Sequence, residues 1–426
     1  MLSHADNEVL TRTGAGTPMG ETMRRYWMPA LLSSEIPEPD CAPVGLRLLG
    51  EYLVAFRDTQ GRIGLLDQFC PHQGASLALG RNEECGLRCG YHAWKFDVSG
   101  QCVDTMGGPP NSNFKYPDIR IKAYPTIDQG GVVWAYMGAP EQQPAPPNFE
   151  WTQVPQSHRR VSKVRQDCNW LQALEDGNDT AHAPILHRTT TPDTNKAGVG
   201  INSDFAGGGA PVLEVELTDY GYRYAGIRAL GERGNYVRAC HYVMPFLQMR
   251  PRQAGFKGQE SQPLIAGHMW VPIDDKNVMI YNWIYSFGDA GISDEEWGEL
   301  ERGYDRGPEH PLSDFRFVGN RANDWQIDRQ VQRTEPFTGI EGITAQYLAM
   351  QKNIRTIVGP TRKNLTRSGE FNVHVRRLLL QATRTVADGG DPPGVSPSYY
   401  NARAIERVLP ADAGWRDALF SEMYPE

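Results

Sequence analysis

The stretch "CPHQGASLALGRNEECGLRCGYHAWKF", Cys70 to Phe96, sets the terms for everything around it. "CPH" puts one residue between Cys70 and His72, "CGYH" puts two between Cys89 and His92, and sixteen residues separate the pairs. On either side lie short apolar runs: "LRLLGEYLVAFRD", "GRIGLLDQ", "HAWKFDVSG" and "GVVWAYMG". Gly, Asp, Asn and Ser break them. That texture predicts a small all-β domain with tight turns. Both Cys/His pairs then fall at turns between strands, where a rigid sheet presents two loops side by side.

Two thiolates on one iron and two imidazoles on the other form the donor set of a Rieske [2Fe–2S] cluster. Imidazole is neutral where thiolate is anionic, so it raises the potential and leaves ring edges facing outward for electron transfer. Gly74, Gly86 and Gly90 would let backbone approach the cluster and donate N–H groups to its sulfides. A zinc finger pairs Cys with Cys and His with His; here each pair is mixed, which sets zinc aside. Cys41, Cys85, Cys102, Cys168 and Cys240 have no such partners and read as packed or exposed thiols.

The chain has 426 residues, 40% of them hydrophobic, enough for two or three domains. No early apolar run is long enough to span a bilayer and no signal-peptide pattern is present, so the expectation is a soluble, cytoplasmic protein without a membrane partner. Net charge is −8 with mixed signs, which argues against a nucleic-acid surface. Seven cysteines are few and odd in number, which argues against a disulfide framework.

The rest of the chain divides by texture. Residues 1–40 predict an N-terminal helical segment, centred on "GETMRRYWMPALL", that packs on the catalytic domain. Residues 41–140 form the β domain. "APEQQPAPPNFE" reads as an extended linker. Residues 150–426 form the larger domain. In it "NWLQALEDGNDTAHAPILH" has helical spacing, and residues 211–287 predict an antiparallel meander with charged turns such as "DDKN". From "SDEEWGELERGYDRG" onward the pattern is mainly helical. The fold class is therefore α+β.

"DGNDTAHAPILH", Asp176 to His187, carries a second constellation. Asp179 and His182 are three apart and would share a helix face, with Glu175 one turn earlier. Pro184 should disturb that helix and turn His187 back inward. Two histidines and one carboxylate from farther along make the facial triad of a non-haem Fe(II) oxygenase. Alone, the His-x4-His spacing is more often core or surface histidine. Next to a one-electron cluster it supplies the acceptor the electrons need. Asp179 then bridges a cluster histidine to an iron histidine through hydrogen bonds.

At this point the chain resembles a known family. "CPHQGASLALG", "CGYHAWKF" and "NWLQALEDGNDTAHAPILH" together look like the oxygenase (alpha) component of Rieske non-haem iron oxygenases, in the phthalate dioxygenase-like branch, and the similarity extends into "DWQIDRQVQRTEPFTGIEGI". The resemblance implies a Rieske domain followed by a catalytic domain with a helix-grip sheet. It implies a [2Fe–2S] cluster on Cys70, His72, Cys89 and His92, a mononuclear Fe(II) on His182 and His187, and Asp179 as the bridge. It also implies aromatic ring hydroxylation with O2, electrons from a flavin and iron–sulfur reductase, and a homotrimer or stacked trimers with electrons crossing between subunits. The branch favours aromatic carboxylates. An arginine is expected in the pocket, with Arg228 and Arg238 on candidate strands, whereas Arg250 and Arg252 flank Pro251 as in a surface turn.

One element departs from the family. Its third iron ligand is an Asp, within a Gln-Asp pair just after a "GIxGI" segment. Here "GIEGITAQYLAMQ" supplies Gln346 followed by Tyr347. Gly359 and Lys363 likewise stand where the family has acids. Three outcomes are open: Glu341 swings in as the carboxylate, Tyr347 coordinates, or two histidines hold iron weakly with water or not at all. The last would make the chain an electron-relaying partner of an intact paralogous alpha chain.

Overall fold

The computed structural model describes residues 3–105, 118–179, 182, 186–187, 211–252, 263–304, 306, 314–334, 337–353, 370–396 and 399–425. Two short helices, α1 (His4–Thr11) and α2 (Pro18–Met23), lead into strand β1 (Trp27–Leu32). Strands β2 (Val44–Leu48), β3 (Glu51–Arg57) and β4 (Ile63–Asp67) make one antiparallel sheet. Strands β5 (Arg81–Glu83), β6 (Gly86–Arg88), β7 (Trp94–Phe96) and β8 (Cys102–Thr105) make a second. Strands β9 (Thr126–Gln129) and β10 (Val132–Tyr136) make a third with β1 on the outer side of β10.

Beyond α3 (Glu150–Gln153) come β11 (Arg159–Gln166) and α4 (Trp170–Asn178). The meander follows as β12 (Val212–Thr218), β13 (Gly221–Ala229), β14 (Asn235–Val243), β15 (Leu247–Arg252), β16 (Leu264–Asp274) and β17 (Asn277–Ser286). Helices α5 (Asp294–Gly303), α6 (Ile343–Asn353) and α7 (Glu370–Ala387), strand β18 (Ile405–Leu409) and helices α8 (Trp415–Ala418) and α9 (Phe420–Met423) complete the chain. The large sheet runs β11-β17-β16-β15-β14-β13-β12, with β18 on β14, and every pairing is antiparallel. The fold is α+β, as the texture of the chain predicts.

Helix α7 lies on that sheet by an apolar stripe at helical spacing: Phe371, Val375, Leu378, Leu379 and Ala382 are all buried. Phe371 meets Tyr222 and Tyr224 edge-on, with ring centroids 5.2 and 4.9 Å away. The expected N-terminal helix over "GETMRRYWMPALL" is only partly realised. It stops at Met23, and Trp27–Leu32 is a strand paired with β10. Pro29 explains this: inside a helix it would break the ladder, whereas at the β-bulge between Pro29 and Leu31 its missing N–H is tolerated.

The β16–β17 turn is "DDKN", as expected, and it ties the parts together. Asp275 accepts from Arg12 Nη1 at 3.0 Å and Thr13 N at 2.9 Å, and Arg47 of β2 pairs with Asp274. Leu49 N and Gly50 N donate to Pro272 O and Ile273 O at 3.0 and 2.8 Å. The N-terminal segment and the small β domain thus meet the large sheet at one hairpin tip.

Helix α4 is positioned along its whole length. Asn169 caps it, accepting from Leu171 N, while its amide donates to Thr11 O and Asp275 O. Trp170 Nε1 donates to Leu10 O at 3.1 Å. Gly177 packs on Trp270, where a Cβ would fall 2.1 Å from the indole. Glu175, fully buried, forms a two-pronged ion pair with Arg376 of α7, one contact being 2.8 Å. Removing the cation that faces a buried carboxylate is costly. Arg376→Met is expected to lower unfolding stability by roughly 3–5 kcal/mol, and adding Glu175→Leu should recover most of it. Urea unfolding of the two variants reads this directly, and a loss below about 1 kcal/mol in the single variant would contradict it.

Candidate active site

The two loops of the first constellation are built alike. Cys70 N donates to Ala75 O at 2.9 Å and Gly74 N to Cys70 O at 2.8 Å. Cys89 N donates to Trp94 O at 2.8 Å and Ala93 N to Cys89 O at 3.0 Å. The fifth residue of each loop has positive φ, +74° at Gly74 and +59° at Ala93. Glycine suits that conformation; alanine holds it only because β6 and β7 clamp the loop ends.

Both cysteines are buried, at 2 and 3% exposure, and both histidines are exposed. The imidazole rings of His72 and His92 lie 4.5 Å apart, His72 stacks on Trp94, and Tyr91 covers His92. Burial pushes the Cys70 thiol up to about 11; the His72 backbone N–H bonded to its sulfur opposes this and neighbouring Cys89 adds to it. A shared metal would relieve two thiols held this close in an apolar pocket of Val54, Phe56, Leu66, Leu77, Leu87 and Phe96. The donor set fits a [2Fe–2S] cluster, sulfur inside and imidazole outside.

One expectation around this site is corrected. Gly86 does not face it: a Cβ there would meet the Lys95 side chain and Phe96 O within the β6–β7 ladder. Cys85 sits at the tip of the β5–β6 turn with φ +59°, its N–H bonded to Thr59 Oγ1. The two-residue turn, not metal, explains its place.

The second constellation gathers differently from the helical reading. Helix α4 ends at Asn178, and Asp179 is its extended C-cap, so Asp179 and His182 do not share a helix face. Asp179 Oδ2 nonetheless lies 3.5 Å from His182 Nδ1. Leu186 N donates to His182 O at 2.8 Å, which brings His187 round; Pro184 lies outside the described residues.

Helix α6 supplies the other half. Gln346 and Tyr347 are consecutive, and each reaches one histidine. Gln346 Oε1 is 2.7 Å from His187 Nδ1, and the Gln346 amide donates to Ile340 O at 2.8 Å, which fixes its orientation. Tyr347 Oη is 2.7 Å from His182 Nε2. The His182 and His187 rings are 5.7 Å apart, and Tyr347 lies 5.1 and 4.7 Å from them. His187 Nε2 is buried with no hydrogen-bond partner among the described residues. Burial holds His187 down at about 4 against the Gln346 contact, with His182 and Arg250 adding to the depression, so the ring is neutral at physiological pH. Burial moves the Tyr347 phenol up, with Arg250 opposing it.

Glu341 does not join this group. It is exposed, ahead of the first turn of α6. Gly359 and Lys363 fall outside the described residues. Among the described residues no three His, Cys, Asp or Glu side chains converge on one ion. Two imidazole nitrogens with fixed outer partners nonetheless fit a metal, His187 Nε2 most plainly, and the third nearby donor is a phenol.

A cavity of about 130 Å³ opens beside His187 and Tyr347. Arg228 does not line it; that residue is buried, and burial lowers its guanidinium to about 10. Arg238 does line it, donating to Glu406 Oε2 and Pro251 O at 2.9 Å each. The residues missed in the sequence are Arg250, Tyr304, Arg306 and His268. Arg250 and Arg252 lie in β15, not in a surface turn. Arg306 pairs with Glu301, whereas Arg250 has no carboxylate partner among the described residues. Burial raises the Tyr304 phenol, but Arg252, Arg250 and Arg306 outweigh it and bring it to about 7. His268 Nδ1 donates to Asn282 Oδ1 at 2.8 Å, and burial with Arg250 and Arg306 holds it well below the imidazole range. The only available signal was the parity of β15, since Gln248, Arg250 and Arg252 share one face.

Known proteins bear on this geometry. Residues 26–125 match the Rieske [2Fe–2S] domain and residues 135–424 the "LigXa C-terminal domain like" family. The oxygenase subunit of 3-chlorobenzoate-3,4-dioxygenase from Comamonas testosteroni is 36% identical over 97% of this chain and 96% of its own. That of phthalate 4,5-dioxygenase from Pseudomonas putida is 35% identical over 98% and 94%. Among solved structures, NdmA of Pseudomonas putida CBB5 superposes with a TM-score of 0.61 at 15% identity, covering 93% of this chain and all of that one, which speaks to fold alone. Among the described residues no helix is long and apolar enough to cross a membrane.

Replacing imidazole by thiolate should lower the potential of the cluster. In the His72→Cys/His92→Cys variant an EPR-monitored redox titration is expected to show a drop of at least ~200 mV. An unchanged potential would place the outer ligands elsewhere.

Proposed function

Because this chain belongs to the Rieske non-haem iron oxygenases as an oxygenase component, we propose that it hydroxylates an aromatic carboxylate with O2, using electrons from a separate NAD(P)H-dependent flavin and iron–sulfur reductase. The cofactors of the family are the Rieske cluster and a mononuclear iron. The observation that carries the substrate class is Arg250: a cation without a carboxylate partner among the described residues, in the same cavity as His187 and Tyr347. The names of two relatives, a chlorobenzoate and a phthalate dioxygenase, support it.

Cys70, His72, Cys89 and His92 hold the cluster in this reading, and His182 and His187 hold the iron. When bound, that iron supplies O2 activation with electrons stored on the cluster. The chain's own residues do the rest. Asp179 orients His182 through Nδ1 and extends a hydrogen-bonded path toward a cluster histidine. Gln346 fixes His187 with Nε2 facing the cavity. Arg250 anchors the substrate carboxylate, with Arg238 and Arg306 adding to the positive field while held by Glu406 and Glu301. The carboxylate anchor and the two iron-holding histidines then decide which ring carbon is presented, and with it whether the product is a diol, a phenol or a dealkylated ether.

The electron path calls for the homotrimer or stacked trimers of the branch, and seven cysteines with no disulfide among them suit the cytoplasm. A second reading is favoured by one observation, the phenol at the usual carboxylate position. In it the chain relays electrons within an assembly with an intact paralogue. Reductase-dependent O2 consumption coupled to product by the purified chain alone separates the two.

Charged hydrogen bonds of this kind are worth about 1.5–3 kcal/mol. Arg250→Met is therefore expected to raise KM for the carboxylate substrate roughly 10–100-fold, with the cluster spectrum unchanged; equal KM values would remove Arg250 from the substrate site. Tyr304 adds a pH dependence. Below about 7 its phenol is neutral and the arginines face the substrate undiminished; above it the phenolate competes for them. KM should rise as pH climbs through that value, and Tyr304→Phe should flatten the rise. A profile identical in both proteins counts against this role.

A further inference from the structure

The geometry points to a mononuclear site whose ligands are His182, His187 and the phenolate of Tyr347, a two-histidine, one-tyrosine set in place of the two-histidine, one-carboxylate triad. This rests on the functional reading above and specifies its metal centre.

Three observations carry it. First, the outer nitrogen of each histidine is already engaged, His182 Nδ1 by Asp179 at 3.5 Å and His187 Nδ1 by Gln346 at 2.7 Å. Each Nε2 therefore keeps its lone pair, and that of His187 is buried without a partner among the described residues. Second, Tyr347 Oη lies 2.7 Å from His182 Nε2, so the phenol is the donor and its proton sits between the two atoms. That is where a cation would replace the proton: the O–H bond breaks, the O–metal bond forms, and the proton leaves to water. Third, no acid competes among the described residues. Glu341 is exposed, Asp179 serves the far side of His182, and no three His, Cys, Asp or Glu converge among the described residues.

The substitution conserves charge. Two neutral imidazoles and one anionic oxygen remain, with phenolate replacing carboxylate. Phenolate is an established haem-iron donor and favours the ferric state. The consequence is a site that resists reduction more than a carboxylate triad would, and a colour that the carboxylate site lacks.

The test uses the full-length chain, loaded anaerobically with Fe(II) and then oxidised with ferricyanide. Iron and acid-labile sulfide are counted, and the visible and resonance Raman spectra of wild type, Tyr347→Phe and Tyr347→Asp are compared. The expected result is a third iron beyond the two of the cluster, with tyrosinate modes under a visible charge-transfer band. Tyr347→Phe should lose the band and retain mononuclear iron at least about tenfold less well, with the cluster EPR signal intact. Tyr347→Asp should keep the third iron and lose the band. A third iron without tyrosinate modes overturns the assignment. So does a wild-type chain with two irons in which Tyr347→Asp gains a third, since the phenol then closes the site. Absence of sulfide from every variant would instead sink the family reading, and leaves a distinct signature.

Discussion

The catalytic half of the molecule hangs on a buried ion pair, Glu175 with Arg376. It joins α4, which leads to Asp179 and the histidines, to α7, which packs on the large sheet through Phe371 against Tyr222. At its other end α4 is tied by Asn169 and Trp170 to the N-terminal segment, and Gly177 lets it settle on Trp270 of β16. A short helix held at both ends and clamped in the middle is a rigid mount. Metal sites need that rigidity because a ligand displaced by an ångström is no longer a ligand.

The site shows how much depends on the atoms behind the metal-facing ones. Asp179 and Gln346 touch the outer nitrogens of the two histidines and so decide which lone pair faces the cavity. Gln346 is itself oriented by Ile340 O, at the approach to the helix that also presents Tyr347. In the metal site proposed above, Gln346 keeps this scaffold and Tyr347 is the one donor that differs from a carboxylate triad. The change is therefore local in structure and large in chemistry.

Across the cavity the electrostatics are asymmetric. Two of its arginines spend their charge on Glu406 and Glu301, whereas Arg250 faces no carboxylate among the described residues. Tyr304 and His268 sit among these cations, and both are shifted by them in the direction that favours the less positive form. A small anion entering here would meet an excess of positive charge inside low-dielectric walls, where each contact is worth more than at the surface.

The pattern Cys70–His72 with Cys89–His92 is readable in one dimension, because each pair sits on one short loop and the loops bracket a hairpin. Local turn chemistry, with Gly74 and Ala93 at the left-handed positions, then does the work. His182, His187 and Asp179 were also visible, though the helix face inferred for them was not there; α4 ends one residue before Asp179, and Asp179 meets His182 off the helix. The strand at Trp27–Leu32 was hidden because its partner, β10, lies a hundred residues on. So were Arg250 and Arg306, whose place in the cavity depends on the register of β15 against β16 and on the return of the chain after α5. The sequence by itself thus determined the family, and it put forward the cluster donors and the Tyr347 that follows Gln346, all carried by neighbours along the chain. Only the tertiary structure decided that Tyr347, rather than Glu341, stands against His182, since that contact joins residues 165 positions apart and no local propensity records it.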